Sequence, residues 1–311
     1  MSWNVQELDD NTIRLLCVDG LGGSTLTVLA REAGGLLEAG NAIISGEADN
    51  WLPDGACDLL RKRMRCTNVN SARLSAEATN ADIVVVTDDD FPMLLKPLPA
   101  CPASLWYRGN LTTCDSPSVA IVGARRCTEY GVGQASIFVK TIVNSGIVVL
   151  SGGARGIDAA AHRSSLLYGG RTCVVLGSGL QRIYPKEHWE LFDQIVKDGG
   201  GLVLSEFPCD RSPKPANFPR RNRIVSGLAS VVLVIEAAKR SGALITARIT
   251  VEEHGRQAFA VPGRNNDPSS AGCLQAIADG WVGIAIDPQE IVDEAKAAWN
   301  RFTQRRVATH Q

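Results

Sequence analysis

From Asp82 onward the chain alternates short, continuous apolar runs with stretches of helical character. The runs are IVVVT (83–87), SVAIVG (118–123), GIVVLSGG (146–153), RTCVVLG (171–177), GLVLSE (201–206), SVVLVIE (230–236) and QAFAVPG (257–263). Their β-branched residues favour strands, and the lack of a polar alternation fits strands buried on both faces of a parallel sheet. The intervening segments 131–145, 157–168, 186–198, 220–228 and 243–254 read as helices. Strand–helix alternation of this kind predicts a doubly wound α/β sheet of Rossmann-like type, mainly parallel. Ligands of such sheets bind at the carboxyl ends of the strands, where loops lead into helices.

The first 75 residues have a different texture, of short helices separated by glycine-containing turns. LCVDGLGGSTLTVLAREAG predicts helix, turn and helix, with Ser24 or Thr25 as the cap. The expected organisation is a small helical domain over 1–75, a Rossmann-like domain over 76–290 and a basic tail over 291–311. RKRMR at 61–65 is a short basic cluster, read as a solvated helix face.

With 32 basic and 33 acidic residues among 311 the net charge is near zero, but it is unevenly spread. Residues 1–60 hold ten acidic residues against two basic ones, so the remainder carries a basic surplus. Arg211 to Arg223 contains five basic residues and no acid. Local basic density governs polyanion binding more than the chain total. The 45% apolar content is ordinary for a globular chain. No apolar run approaches the ~20 residues of a membrane-spanning helix, and the acidic N-terminus lacks the layout of a signal peptide. Nine cysteines with no CxxC pair argue for reduced thiols rather than a disulfide framework or zinc site. These features predict a cytoplasmic protein without membrane partner, metal or cofactor.

The strand ends carry the chemistry. After the second run, Gly123 makes a tight turn and Arg125 and Arg126 follow, placed to clamp phosphate. Ser151, Gly152, Gly153 and Gly156 form a small-residue loop whose amides suit an anion. The spacing is neither GxxxxGK[ST] nor GxGxxG. Asp158 and His162 share a helix face; they read as a first-turn acid and a packed histidine rather than an acid–base pair. Gly177 and Gly179 lie in the next loop, and Ser241 and Gly242 open a later helix. The segment KPANFPRRNRIVSGLA (214–229) joins Lys214 to Phe218, then Arg221, Asn222 and Arg223. An aromatic platform among cations suits single-stranded nucleic acid, with cations on phosphates and the ring against a base. Glu206 and Glu236 stand at strand ends; with no nucleophile or metal-ligand spacing beside them, they read as caps rather than catalytic groups.

GARRCTEYG, SGGARGIDAAAH, LGSGLQRIYP, LSEFP, FPRRNRIVSGLA, EAAKRSGALITA and AVPG, in this order, resemble the DNA-processing protein A (DprA, or Smf) family over about residues 82–290. FPMLLKPLPACPASLWYRGN is similar to the start of that family's extended Rossmann domain. The resemblance implies a protein without covalent chemistry that binds single-stranded DNA as a homodimer. It also implies that the protein loads the recombinase RecA during natural transformation. By motif, Arg125, Lys214, Arg221 and Arg223 would take phosphates and Phe218 would stack a base. The glycine loops at 151–156 and 241–242 would floor the pocket. Two departures stand out. The chain leaves no room for the winged-helix-like domain with which many members end, and SSAGCLQAIADGWVG replaces the usual segment after AVPG, where dimer contacts are expected. The competing class is a nucleotide hydrolase or phosphoribohydrolase using Glu206 or Glu236, since fold alone does not separate the two. The PGGxGT-type loop of such phosphoribohydrolases is absent from the sequence.

Overall fold

The computed structural model describes residues 2–197 and 200–309, with side chains described as far as Gln304. The chain forms two compact units. The first comprises Met1–Arg108, Gly177–Ile183 and Leu204–Lys214; the second comprises Gly109–Leu176, Tyr184–Val203 and Pro215–Gln311. The expected boundary at 75/76 is therefore corrected: the chain up to Arg108 and two later segments fold with the N-terminal helices.

In the first unit a two-residue strand β1 (Trp3–Asn4) precedes helices α1 (Asp10–Leu16), α2 (Gly23–Ala33), α3 (Leu36–Ser45), α4 (Ala56–Arg65) and α5 (Val69–Thr79). Asp9 caps α1 by accepting the amides of Asn11 and Thr12 at 2.9 and 3.1 Å. The cap of helix α2 lies two residues before Ser24, the nearer expected cap, at Gly22, with no side-chain cap. The amide of Gly23 donates to the carbonyl of Cys101 at 2.8 Å, and a Cβ at Gly23 would lie 3.1 Å from that oxygen. Tertiary approach, not capping chemistry, sets this start. Strands β2 (Asp82–Val85) and β3 (Ser104–Gly109) pair antiparallel, Asp82 opposite Tyr107 and Val85 opposite Ser104. The run at 83–87 is thus no member of the parallel array. It reads like one because Ile83, Val84 and Val85 are all buried.

The second unit holds strands β4 (Ser118–Val122), β5 (Val148–Ser151), β6 (Thr172–Leu176), β8 (Val231–Val234), β9 (Ala258–Ala260) and β10 (Gly283–Ile284). Strand β7 (Leu202–Ser205) begins in this unit and lies next to β6. The order is β6-β5-β4-β8-β9-β10, all parallel, which bears out the doubly wound reading. Helices α6 (Glu129–Asn144), α7 (Ile157–Leu167), α8 (Trp189–Lys197), α9 (Asn217–Leu228), α10 (Gly242–Arg248), α11 (Ala271–Ala278) and α12 (Pro288–Thr309) fill the crossovers and ends. Val119, Ile121, Val149, Val231 and Leu233 form one inner face with Phe138, Val139 and Ile142 of α6. Ile291, Val292 and Ala295 join the same core. The expected tail therefore begins as a packed helix; its side chains from 305 onward lie outside the described residues.

Chain order places β5 and β6 on one side of β4 and β8 and β9 on the other. The strand order reverses at β4/β8, which is where open α/β sheets bind ligands. No helix among the described residues is long and apolar enough to cross a membrane.

Candidate nucleic-acid interface

The loop after β4 is held from both sides. The Ala124 amide donates to the Glu236 carbonyl at 2.7 Å, and the Ala124 carbonyl accepts from the Ile157 amide at 3.1 Å. A Cβ at Gly123 would strike Ile157 at 2.6 Å, and one at Gly156, where φ is +75°, would strike the Ala124 carbonyl at 2.1 Å. Both glycines thus serve close packing between the β4 and β5 loops. The bracing leaves Arg125 and Arg126 exposed.

The β5 loop is held from within in the same way. Ser151 is buried and its hydroxyl donates to the Ile121 carbonyl at 2.6 Å. The Ala154 amide donates to the carboxylate of Asp158 at 3.2 Å, so the protein's own acid takes an amide at this helix start. Gly153, at φ +69°, leaves room for Phe192 and Val174. Gly152 has a different role. A Cβ there would sit 1.3 Å from Nη1 of Arg221, so the missing side chain is the seat of that guanidinium.

Arg221 projects from α9 and is only 5% exposed. Its Nη1 donates to the Val175 carbonyl at 3.1 Å, and its Nε is buried without a hydrogen-bond partner. Burial pulls its pKa down, while Asp158 holds it up and Arg125 opposes it. Burial in turn raises the Asp158 carboxyl, against the pull of Arg221. A buried cation with an unused donor is poised for an anionic oxygen, because leaving a buried polar group unmade costs ~1–3 kcal/mol. Asn217, buried in the first turn of α9, likewise has an unpartnered Nδ2.

Phe218 completes the cluster. Its half-buried ring packs against Tyr184, with centroids 5.6 Å apart, and the guanidinium of Arg125 lies 5.5 Å from its centroid. Arg155 stands 5.8 Å from the Tyr184 ring and pairs with Glu187. The structure thus brings Arg125, Phe218 and Arg221 into one neighbourhood, joined by Tyr184, Arg155 and Asn217. Sequence reasoning missed these last three. RIYP and GARG lay in motifs already singled out, but nothing in local spacing joins them to Phe218.

Other expected residues go elsewhere. Asn222 turns toward α10, its Nδ2 donating to the Gly242 carbonyl at 3.4 Å. Arg223 lies near enough to His254 to help depress its pKa. Three successive helical residues point in three directions, as a 3.6-residue turn requires. Ser241 caps α10 by accepting the Ala243 amide at 3.2 Å, so that amide is already taken. Gly177 and Lys214 belong to the first unit. Gly179 there lets the chain pass close to the carbonyls of Pro208 and Cys209.

Glu236 is buried and accepts from the Thr128 hydroxyl at 2.7 Å and the Thr128 amide at 3.2 Å, anchoring α6 as a cap-like group. His162 is fully buried, bonds Thr172 at 2.8 Å, and burial pulls its pKa to about 3. It is a neutral core histidine at working pH. No cluster of three or more metal-ligating side chains occurs among the described residues.

Residues 82–296 match the family model described as DNA recombination-mediator protein A, more than half of the chain. The chain belongs to this family. It is 39% identical over 226 residues to Protein Smf of Escherichia coli, covering 73% of this chain and 60% of that one. The chain therefore spans under two thirds of that relative's length. Among solved structures, DprA of Streptococcus pneumoniae superposes at a TM-score of 0.77 with 32% identity, over 92% of this chain and 98% of that one. DprA of Helicobacter pylori, whose structure concerns its single-stranded DNA binding mode, gives 0.61 at 28% identity, over 68% of this chain and 94% of that one. The recombination-mediator fold and the predicted Rossmann-like sheet thus coincide. The match also extends past residue 290 into α12, in keeping with the buried Ile291 and Val292.

Proposed function

We propose that this family member binds single-stranded DNA through Arg125, Phe218 and Arg221, without covalent chemistry. One observation carries the reading: a half-exposed ring beside an exposed arginine, with a buried guanidinium in the same loop cluster whose Nε has no protein partner. Cations take phosphates and the ring stacks an unpaired base, contributing ~1–3 kcal/mol. Arg126 adds charge at the rim. Preference for single strands follows from the need for an unstacked base. The recombination-mediator family and the Helicobacter relative's binding mode support this reading. We further propose that the protein works in the cytoplasm as a homodimer, protects the strand and hands it to RecA in transformation or recombination. Glu236, engaged with Thr128, is not placed as a general base, which weighs against the hydrolase reading.

The test is anisotropy of labelled oligo-dT across a salt series, with duplex competitor. Three neutralised phosphates, at Arg125, Arg126 and Arg221, give a log–log salt slope of about −2 on single strands. Binding should be poorly competed by duplex and lost in an Arg125→Ala/Phe218→Ala double variant. Binding indifferent to both residues would overturn the site. RecA filament nucleation on coated strands tests the hand-over, and light scattering tests the dimer.

A further inference from the structure

Two basic segments far apart in sequence meet in the first unit. Lys62 and Arg63, at the C-terminal end of α4, line a groove of about 820 Å³ together with Arg211 and Lys214. The α1 C-terminus and the start of α5 supply the rest of the wall. Lys62, Arg63 and Lys214 are exposed. Only two carboxylates line the groove, and both are engaged. Asp19 stands 3.6 Å from Arg211, and Asp210 accepts from the Ser71 hydroxyl at 2.6 Å. The Asp19 carbonyl accepts from Arg63 at 3.0 Å, which holds that guanidinium at the rim. Four cations against two carboxylates leave a positive groove, although the first 60 residues are strongly acidic.

We propose that this groove is a second, sequence-independent track for the phosphate backbone of single-stranded DNA, contained wholly in the first unit. The groove has cations and polar groups but no aromatic side chain in its lining, so it offers charge without stacking. Such a surface grips phosphates and reads no base. The inference rests on the proposal that the chain binds single strands. It gives the 61–65 cluster and Lys214 a common role.

Cys66 lines the groove with an exposed thiol and supplies a probe that needs no substitution. The experiment compares an oligo-dT of about six nucleotides with one of about thirty, within and beyond the ~4–16-nucleotide span of single binding modules. Maleimide modification of Cys66 is mapped by peptide mass spectrometry, alongside the salt slope of binding. The long strand should protect Cys66. Lys62→Glu/Arg63→Glu should abolish that protection and make the long-strand slope shallower by about 1.4, the share of two phosphates at ~0.7 each. Six-nucleotide binding should be unchanged, which also reports an intact fold. Unprotected Cys66 in the unsubstituted protein, or an unchanged slope in the variant, with six-nucleotide binding retained, overturns the groove alone. Loss of binding of both oligonucleotides to the unsubstituted protein overturns the site at Phe218 and the groove with it.

Discussion

The two basic regions are built on opposite principles. In the second unit the central cation, Arg221, is 5% exposed and seated on the bare backbone of Gly152, with Val175 and Asp158 fixing it from within. In the first unit Lys62, Arg63 and Lys214 are exposed on a helix end and a loop. Burial makes a cation costly to place and precise in what it accepts; exposure makes it cheap, mobile and screened by salt. The first arrangement suits a defined contact beside a stacked base. The second suits a diffuse hold on a backbone.

Arg221→Ala should break the comparison most severely. It removes the buried donor and leaves Asp158 buried without its cation, a change that typically costs ~3–5 kcal/mol of stability. Single-strand affinity should fall by two orders of magnitude or more, set by lost hydrogen bonds to a charged group at ~1.5–3 kcal/mol together with disorder of the loop. Arg221→Lys should restore little, because an ammonium lacks the planar fork that reaches the Val175 carbonyl and carries the unpartnered Nε. On mild acidification the alanine variant should lose less thermal stability than the parent does. Protonating Asp158 removes the uncompensated charge, and burial already favours its neutral form. Equal melting temperatures for variant and parent would show that the Asp158–Arg221 pairing is unimportant.

The buried histidines of the second unit and the buried carboxyls of the first should also respond oppositely to acid. The described histidines, His162, His188 and His254, lie in the second unit, and burial lowers His162 to about 3 and His254 to about 4. The unfolded chain protonates them near 6.5. Their contribution is therefore intact above pH ~6.5 and lost as pH falls, by about 1.4 kcal/mol per unit for each. In the first unit, burial raises the carboxyls of Asp82 and Asp88. The folded form of that unit then binds protons more readily than the unfolded chain, so acid stabilises it through these groups. Hydrogen exchange read peptide by peptide between pH 7 and 5 should show protection falling in β4–β6 and α9 while β2–β3 holds or gains. A uniform loss would remove the contrast.

Phe218→Ala tests the feature absent from the groove lining. Losing one stacked base costs ~1–3 kcal/mol, roughly a five- to 150-fold drop in oligo-dT affinity. The ring is half-buried at the surface, so stability should change little. Phe218→Trp should retain binding. Salt dependence should be preserved in both, since no phosphate contact is touched, whereas groove variants should alter salt dependence most.

Much of this was legible in the sequence, for identifiable reasons. The parallel strands were readable because residues such as Val119 to Val122 are buried on both faces and form unbroken apolar runs. The same signal misassigned 83–87, because a strand can be buried in an antiparallel pair too. Arg125 stood out by its place after β4, and Phe218 and Arg221 by the basic-aromatic segment that opens α9; the structure makes the three neighbours. In the glycine loops, sequence shows small residues but not what fills the space they leave. At Gly152 it is Arg221, at Gly123 it is Ile157, and at Gly156 it is the β4 loop. Tyr184 and the meeting of 61–65 with 211–214 depend on long-range folding that no local pattern reports.

Asn222 gives the smallest expected effect and the finest discrimination. By sequence it belongs to the DNA-contacting set, but the structure turns its amide to the Gly242 carbonyl at 3.4 Å. A neutral hydrogen bond contributes ~0.5–1.5 kcal/mol at good geometry, and one this long lies at or below the lower end. Asn222→Ala should therefore change oligo-dT affinity by about twofold, through a slightly looser α9–α10 junction, and leave the salt slope intact. Asn222→Asp separates the alternatives further. A carboxylate facing that carbonyl is repelled and loosens the junction slightly, whereas one facing a DNA phosphate would weaken binding strongly and most at low salt, where charge repulsion is least screened. A drop beyond tenfold at low salt, fading as salt rises, would return Asn222 to the DNA contact set and widen the precise site along α9.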